Sequence, residues 1–230
     1  MLKGVIGALV PLLAAVLAFA FGATMLVALG ASPLAGLDAM LDGAFGSGSR
    51  IAATAVKATP LILVGAGITI AFRTSVINIG GEGQIIAGAL MSTVVALSFP
   101  DLPAVILVPL VLLSGAVGGG ILGAIPGALK AYASVNEILS TIMLNLVMVQ
   151  FMNFLLRGPI MDPFELEAGT RIPQTQRLSD NAALPTMIEG TRLHVGVPVA
   201  IAAAVAAYLI LWRTPTGFRL RAVGHSPEAA

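Results

Sequence analysis

Long apolar runs constrain the fold of this chain more than any other feature. Val5 to Leu29 contains no charged residue, and a spanning helix needs about 20 consecutive apolar residues. The further runs occupy 51–72, 85–99, 103–129, 138–156 and 195–212. Only 10% of the residues are charged and 57% are hydrophobic, unlike a soluble domain. We therefore predict an all-α polytopic membrane protein with about six spanning or partly spanning helices.

The first apolar run has a competing interpretation as a secretory signal peptide. Small residues near Ala20 would suit cleavage, but the apolar core of a signal peptide has only about 7–15 residues. The length of Val5 to Leu29 favours a membrane anchor. The stretch 32–49 that follows has helical spacing of apolar residues and predicts a short helix at the membrane surface.

A polar, glycine-rich break runs from Arg73 to Gln84 between two apolar runs. It contains a carboxylate, an asparagine, a glutamine and three glycines, for which lipid offers no partners. The run after it, Ile85 to Phe99, is short for a full crossing. This pattern predicts a discontinuous helix near 73–84 that lines the path of a polar solute. The alternative is a tight cytoplasmic loop with glycine turns.

Two further helices carry patterns on one face. Glycines recur every fourth residue in the run 103–129 and predict close packing against another helix. They are Gly115, Gly119, Gly123 and Gly127.

The segment Ser134-Val-Asn-Glu137 has capping-box spacing and predicts a helix from Ser134 to about Leu156. One side of that helix then carries a polar stripe, which faces a cavity or another helix rather than lipid. Its members are Glu137, Ser140, Thr141 and Asn145. The alternative is that Glu137 only caps the helix and that the hydroxyls bond to their own backbone.

Residues 158–194 form the one long polar segment and are expected to be an extracytoplasmic loop. The distribution of Lys and Arg favours a cytoplasmic N-terminus, which places 213–230 in the cytoplasm as well. In that last segment a Pro and a Gly indicate a helix break, and Ser226-Pro227-Glu228 indicates the start of a helix. A helix start without its helix leads us to expect an N-terminal fragment of a longer protein.

Several function classes are disfavoured by what the sequence lacks. It has no cysteine, and its two histidines, His194 and His225, lie far apart, so we expect no metal site and no cofactor in this chain. No phosphate-binding loop of the type that accompanies nucleotide hydrolysis occurs, and no basic cluster suits nucleic acid. We expect a protein without its own ATPase site and without catalytic residues.

Three blocks resemble the permease subunits of bacterial ABC importers for simple sugars and nucleosides, relatives of the branched-chain amino acid permeases. The blocks are Thr59 to Gln84, Ser134 to Asn145 and Thr216 to Ala230. The resemblance covers essentially the whole chain and implies one permease domain over 1–230, incomplete at its C-terminus, in the bacterial inner membrane. It also implies a translocation path for a nucleoside or simple sugar.

The resemblance implies roles for particular residues. Asn78, Glu82 and Gln84, together with Glu137, Ser140, Thr141 and Asn145, would lie along the translocation path. The segment 213–230 would be the cytoplasmic coupling loop that contacts the ATPase, with its functional positions at Gly217, Arg219, Gly224, Pro227, Glu228 and Ala229.

The resemblance implies partners as well. They are a cytoplasmic ABC ATPase subunit, a second permease subunit, an extracytoplasmic substrate-binding protein and the lipid bilayer. The alternative function is an ion-coupled secondary transporter with Glu82 and Glu137 as proton sites.

Overall fold

A computed structural model describes residues 2–225, with side chains from Leu9 onward. The helices are α1 (Leu2–Ala28), α2 (Pro33–Phe45), α3 (Gly48–Arg73), α4 (Gly81–Ser98), α5 (Ala104–Ala133), α6 (Glu137–Leu156), α7 (Pro163–Glu167), α8 (Gly196–Arg213) and α9 (Pro215–His225). The described chain forms two compact units, residues 2–57 with 188–193 and residues 58–187 with 194–225.

Six helices within residues 2–225 are long and apolar enough to cross a membrane. They are α1 from Leu9, α3, α4, α5, α6 and α8. Their outer surfaces expose large apolar side chains such as Leu13 and Leu61, as lipid-facing helices require. The predicted all-α polytopic fold is confirmed.

The first unit contains the predicted short helix after the first apolar run. Ser32 caps α2, its side chain accepting a hydrogen bond from the backbone N–H of Ala35, and Pro33 occupies the first helical position. Within the same unit Arg50 forms an ion pair with Asp42. The apolar spacing of 32–49 therefore identified a real helix.

The interruption between α3 and α4 is shorter than the predicted break. Only residues 74–80 lie outside the two helices, because α4 already begins at Gly81. The helix after the break is longer than the apolar run 85–99 alone: α4 has 18 residues, or about 27 Å at 1.5 Å per residue. Glycine is tolerated in the first turn of a helix, and the carboxylate of Glu82 is stabilised by the positive N-terminal end of the helix dipole. The helix therefore extends into the polar stretch.

The junction of α5 and α6 corrects the predicted capping box. Ser134 is the left-handed C-cap of α5, with φ of 53°, and does not start α6. Asn136 is the N-cap instead, accepting hydrogen bonds from the N–H groups of Ile138 at 2.9 Å and Leu139 at 3.2 Å. Asparagine is at least as good an N-cap as serine. Ser134 is used instead for the turn in which the chain reverses direction after α5.

The first part of the long polar segment 158–194 is arranged around a buried carboxylate. Glu165, in α7, accepts hydrogen bonds from the side chains of Thr170 and Gln174, the latter at 2.7 Å. A short 3₁₀ helix, Asp180–Ala182, and a single bridge between Thr186 and His194 complete the segment. Local hydrogen bonding therefore holds residues 165–174 together.

The chain after α8 is helical where a break was predicted. Pro215 stands at the first position of α9, where its fixed φ and missing N–H are favourable. The hydroxyl of Thr214 accepts a hydrogen bond from the N–H of Gly217 at 3.1 Å, which is a capping contact. The predicted helix start at Ser226 to Glu228 lies outside the described residues.

Candidate functional site

Residues 74–80 leave α3 through a tight turn. Ser75 has a φ of 57°, and the N–H of Val76 donates to the carbonyl of Ala71 at 3.1 Å. The Thr74 hydroxyl donates to the same carbonyl at 2.7 Å. These contacts close the end of α3 and direct the next residues towards α4.

Asn78 and Gln84 are brought together at the start of α4. The Oδ1 atom of Asn78 accepts a hydrogen bond from the N–H of Gly80 at 2.8 Å, and the Nε2 atom of Gln84 approaches it at 3.4 Å. The two amides retain further donors and acceptors, because each can make about four hydrogen bonds. Both side chains are half-buried.

Asn145 of α6 caps α4 from the neighbouring helix. Gly80, at the N-cap position, has no side chain to satisfy the free N–H groups of the first turn. Asn145 accepts a hydrogen bond from the N–H of Gly83 at 2.9 Å and donates to the carbonyl of Ile79 at 3.0 Å. The side-chain amide of Asn145 therefore holds both the loop residue Ile79 and the first turn of α4 in place.

Glycine is required at position 83 by the same contact. A Cβ built there would lie 2.8 Å from Oδ1 of Asn145 and 3.2 Å from its Cα. The first distance is closer than real Cβ contacts show and the second is tighter than most, so a side chain at 83 would push α6 away from α4. The glycines of the break thus serve close helix approach as well as turn formation.

The hydroxyls of the predicted polar stripe bond to their own helix. Thr141 is buried and donates to the carbonyl of Glu137 at 2.7 Å, and Ser140 donates to the same carbonyl at 3.2 Å. A Cβ at Gly80 would lie 3.3 Å from the Cβ of Thr141. Thr141 therefore abuts the break through its carbon atoms, while its hydroxyl remains within α6.

The two carboxylates lie in different settings. Glu137 forms an ion pair with Lys130, from the last turns of α5. Glu82 is exposed in the first turn of α4 and has no hydrogen-bond or ion-pair partner among the side chains described, those of residues 9–225. Neither carboxylate is hydrogen-bonded to the side-chain amides of Asn78, Gln84 or Asn145.

A cleft of about 700 Å³ opens between α3, α4 and α5, and we call it the polar cleft. The side chains of Asn78, Gln84 and Ser92 supply its polar groups, and Gly115, Gly119 and Gly123 form much of one wall. Ser92 donates to the carbonyl of Val111 at 2.9 Å. A cleft of this size with a few hydrogen-bonding groups suits a small, uncharged polar molecule.

The glycine stripe of α5 lies along α4. A Cβ at Gly119 would lie 3.0 Å from the carbonyl oxygen of Gln84, and one at Gly123 would lie 3.2 Å from Nε2 of the same residue. Gly115 faces Gly88 and Ser92. Gly127 has open space around its Cβ position and does not share this contact.

The sequence analysis did not identify Gly118, which lies closer to α4 than Gly127, the last glycine of the stripe, lies to any neighbour. A Cβ there would lie 2.6 Å from Cγ of Met91 and 2.8 Å from the carbonyl oxygen of Ala87. Gly118 faces a second, apolar cleft of about 360 Å³ between α4, α5 and α6. The spacing of three from Gly115 was the available signal, because residues three apart share a helix face.

Three of the predicted coupling positions are described, and all lie in α9. Gly217 is buried where a Cβ would overlap the carbonyl oxygens of Ile210 and Leu211. Arg219 is exposed, and Gly224 lies against residues 73 and 74. Pro227, Glu228 and Ala229 lie outside the described residues.

Residues 2–225 contain no group of three or more His, Asp or Glu side chains placed to hold a metal ion. The chemistry available from the side-chain amides of Asn78 and Gln84 is hydrogen bonding.

Comparison with known families identifies the class of protein. Residues 50–230 match the family described as the permease component of the branched-chain amino acid transport system. The match covers well over half of the chain. The chain belongs to this permease family and is a multi-pass membrane protein.

Individual relatives are ABC transporter permeases. The chain is 36% identical to a nucleoside ABC transporter permease protein of Lactococcus lactis, over 96% of this chain and 62% of the relative. It is 35% identical to a guanosine ABC transporter permease protein of Bacillus subtilis, over 100% and 65%. A glucose ABC transporter permease protein of Haloferax volcanii is 36% identical over 96% and 59%.

The chain spans less than two thirds of the length of these relatives. No solved structure matches it.

Proposed function

We propose that this chain is part of the permease subunit of an ABC importer that moves nucleosides across the bacterial inner membrane. The observation that carries the proposal is the amide-lined polar cleft at the break, in a chain similar to nucleoside and guanosine permeases. Asn78 and Gln84 would offer donors and acceptors to a base or to ribose hydroxyls. A simple sugar is the second candidate solute, because one relative is a glucose permease.

In this proposal the chain supplies the path, and a separate cytoplasmic ATPase supplies the energy. A second permease subunit would complete the path, and an extracytoplasmic binding protein would deliver the solute. ATP binding would displace the segment 213–230 and shift the helices between outward and inward openings. The N-terminus and the coupling segment would lie in the cytoplasm, and the segment 158–194 would lie outside.

The proposed residues do not share one role. Asn78 and Gln84 would contact solute, since both line the polar cleft. Asn145 and Thr141 would hold the walls, since their contacts are with the start of α4. Glu82 would lie beside the path, since its neighbours Gly81 and Gln84 line the polar cleft, and Ser140 and Glu137 would stabilise the start of α6.

Uptake into proteoliposomes tests the proposal. The full-length permease would be reconstituted with the ATPase and binding protein encoded beside it, and radiolabelled nucleosides and then sugars would be supplied. Saturable uptake that requires both ATP and the binding protein is expected. Uptake that ignores ATP and follows an imposed ion gradient would contradict the proposal and favour an ion-coupled carrier.

A further inference from the structure

One aromatic ring joins the end of α3 to α9. Trp212, at the end of α8, has the guanidinium carbon of Arg73 at 5.1 Å from its ring centroid and that of Arg221 at 4.4 Å. Both distances are within the range of cation–π attraction, which is strongest for tryptophan. The last residue of α3 and the middle of α9 are therefore held by the same side chain.

A second contact joins the same two regions one turn further along. The Ser75 hydroxyl donates a hydrogen bond to the carbonyl oxygen of Gly224 at 2.5 Å. A Cβ on Gly224 would overlap the carbonyl oxygen of Arg73 and would lie 3.2 Å from the Cα of Thr74. The end of α9 thus lies backbone to backbone against the first residues of the break.

The contact lies a short distance from the polar cleft along the chain. Ser75 precedes Asn78 by three residues, and Asn78 bonds to Gly80 and approaches Gln84 at the start of α4. A displacement of α9 would move residues 74–80, which carry Asn78 into the polar cleft. The close packing of α4 against the glycines of α5 would not have to change first. Ser75, which has a positive φ, places its hydroxyl where α9 contacts the first residues of the break.

We infer that Trp212, Ser75 and Gly224 are positioning residues that transmit movement of the ATPase-coupling segment to the break. The inference rests on the proposed function and adds the route by which ATP hydrolysis alters the solute cleft. It requires that the contact differ between the two transport states, because only a differential interaction shifts an equilibrium. The three residues act on solute through Asn78 and Gln84 and do not touch it.

The absence of cysteine in the chain allows a clean reporter. Ala89 lines the polar cleft and is exposed, so Ala89→Cys places one thiol there at little steric cost. In the reconstituted full-length complex the labelling rate of this thiol by a polar reagent should change when ATP is added. Solute transported per ATP hydrolysed gives the second readout, which a merely structural defect would leave unchanged.

Two variants interrupt the contact in different ways. Gly224→Ala adds a methyl group where there is no space, and Ser75→Gly removes the hydroxyl while keeping a residue that readily adopts positive φ. Gly43→Ala and Ser98→Ala are the matched controls: Gly43 has open space, and the Ser98 hydroxyl bonds only to its own helix, at Val94. Both controls should retain the transport ratio of the unmodified complex.

The expected result is loss of coupling without loss of hydrolysis. Gly224→Ala should lower solute transported per ATP by at least about fivefold, the lower end of ordinary coupling between sites, and abolish the ATP response of the Ala89→Cys reporter. Ser75→Gly should give a smaller loss in the same direction. If Gly224→Ala prevents assembly, Ser75→Gly and Trp212→Leu decide the question.

The outcomes separate this inference from the proposed function. ATP-dependent uptake by the unmodified complex, with an unaltered transport ratio and reporter response in the variants that assemble, would overturn the inference alone. Failure of the unmodified complex to take up solute with ATP would overturn the proposed function and the inference with it.

Discussion

Helix α4 borders two clefts of opposite chemistry. On one side the polar cleft, shared with α3 and α5, contains the side-chain amides of Asn78 and Gln84 and the hydroxyl of Ser92. On the other side the smaller apolar cleft, shared with α5 and α6, is lined by residues such as Leu90, Met91 and Met148. The same helix therefore borders hydrogen-bonding side chains in one cleft and apolar side chains in the other.

The difference shows how one apolar helix can serve both packing and transport. Its packing face relies on close backbone approach, as between Ala87 and Gly118 of α5. Its polar face is confined to the first turn and to Ser92, where the chain can satisfy unpaired groups with neighbouring side chains. A polar solute would meet α4 only on that second face.

The largest expected effect is at the residue that fixes the start of α4. Asn145→Ala leaves the N–H of Gly83 and the carbonyl of Ile79 without their partner, at about 1–3 kcal/mol for the buried N–H of Gly83. The thermal midpoint of the purified complex should fall by several degrees, and uptake should fall with it. Asn153→Ala, on the same helix, is the control and should change neither; an equal loss there would show that α6 is merely intolerant of alanine.

A smaller loss of stability is expected on the apolar side. Gly118→Ala inserts a methyl group against Met91 and the backbone of Ala87, and overpacking of this kind costs about 1–3 kcal/mol. Gly127→Ala makes the same chemical change in open space. Denaturant unfolding of both variants should show destabilisation only for position 118, and equal behaviour would contradict the tight packing of α4 on α5.

The smallest expected effect on stability, and the clearest effect on transport, is at Gln84. Gln84→Met keeps the length of the side chain and removes its hydrogen-bonding groups, which should raise the solute concentration for half-maximal uptake about tenfold, equivalent to about 1.4 kcal/mol. Leu90→Met, in the apolar cleft, conserves volume and should leave uptake unchanged. Loss of uptake with Leu90→Met but not with Gln84→Met would reverse the assignment of the two clefts.

The helices were predictable because uninterrupted apolar runs leave few alternatives in a membrane. Their ends were less predictable. Ser134 and Asn136 are both capping residues, and the choice between them depended on where α5 reverses direction. Pro215 was interpreted as a helix breaker, although at the first position of α9 it is compatible with a helix.

The sequence indicated which residues lie near the break better than it indicated what those residues contact. The spacing of α6 placed Asn145 on a polar face, but its partners, Gly83 and Ile79, belong to a different helix and loop and leave no local sequence signal. For Ser140 and Thr141 the alternative interpretation, bonding to their own backbone, describes the structure. The cation–π contact between Trp212 and Arg73 could likewise not be predicted from the sequence, since the two residues are distant in the chain.

Protection of single cysteines by solute tests the central claim, that the polar cleft is the solute path. Ala89→Cys in the polar cleft and Leu90→Cys in the apolar cleft would be introduced separately into an active, reconstituted complex and exposed to a polar thiol reagent. We predict that Ala89→Cys reacts and is protected by transported nucleoside, while Leu90→Cys is unreactive. Protection at Leu90→Cys together with an Ala89→Cys thiol indifferent to solute would contradict the account.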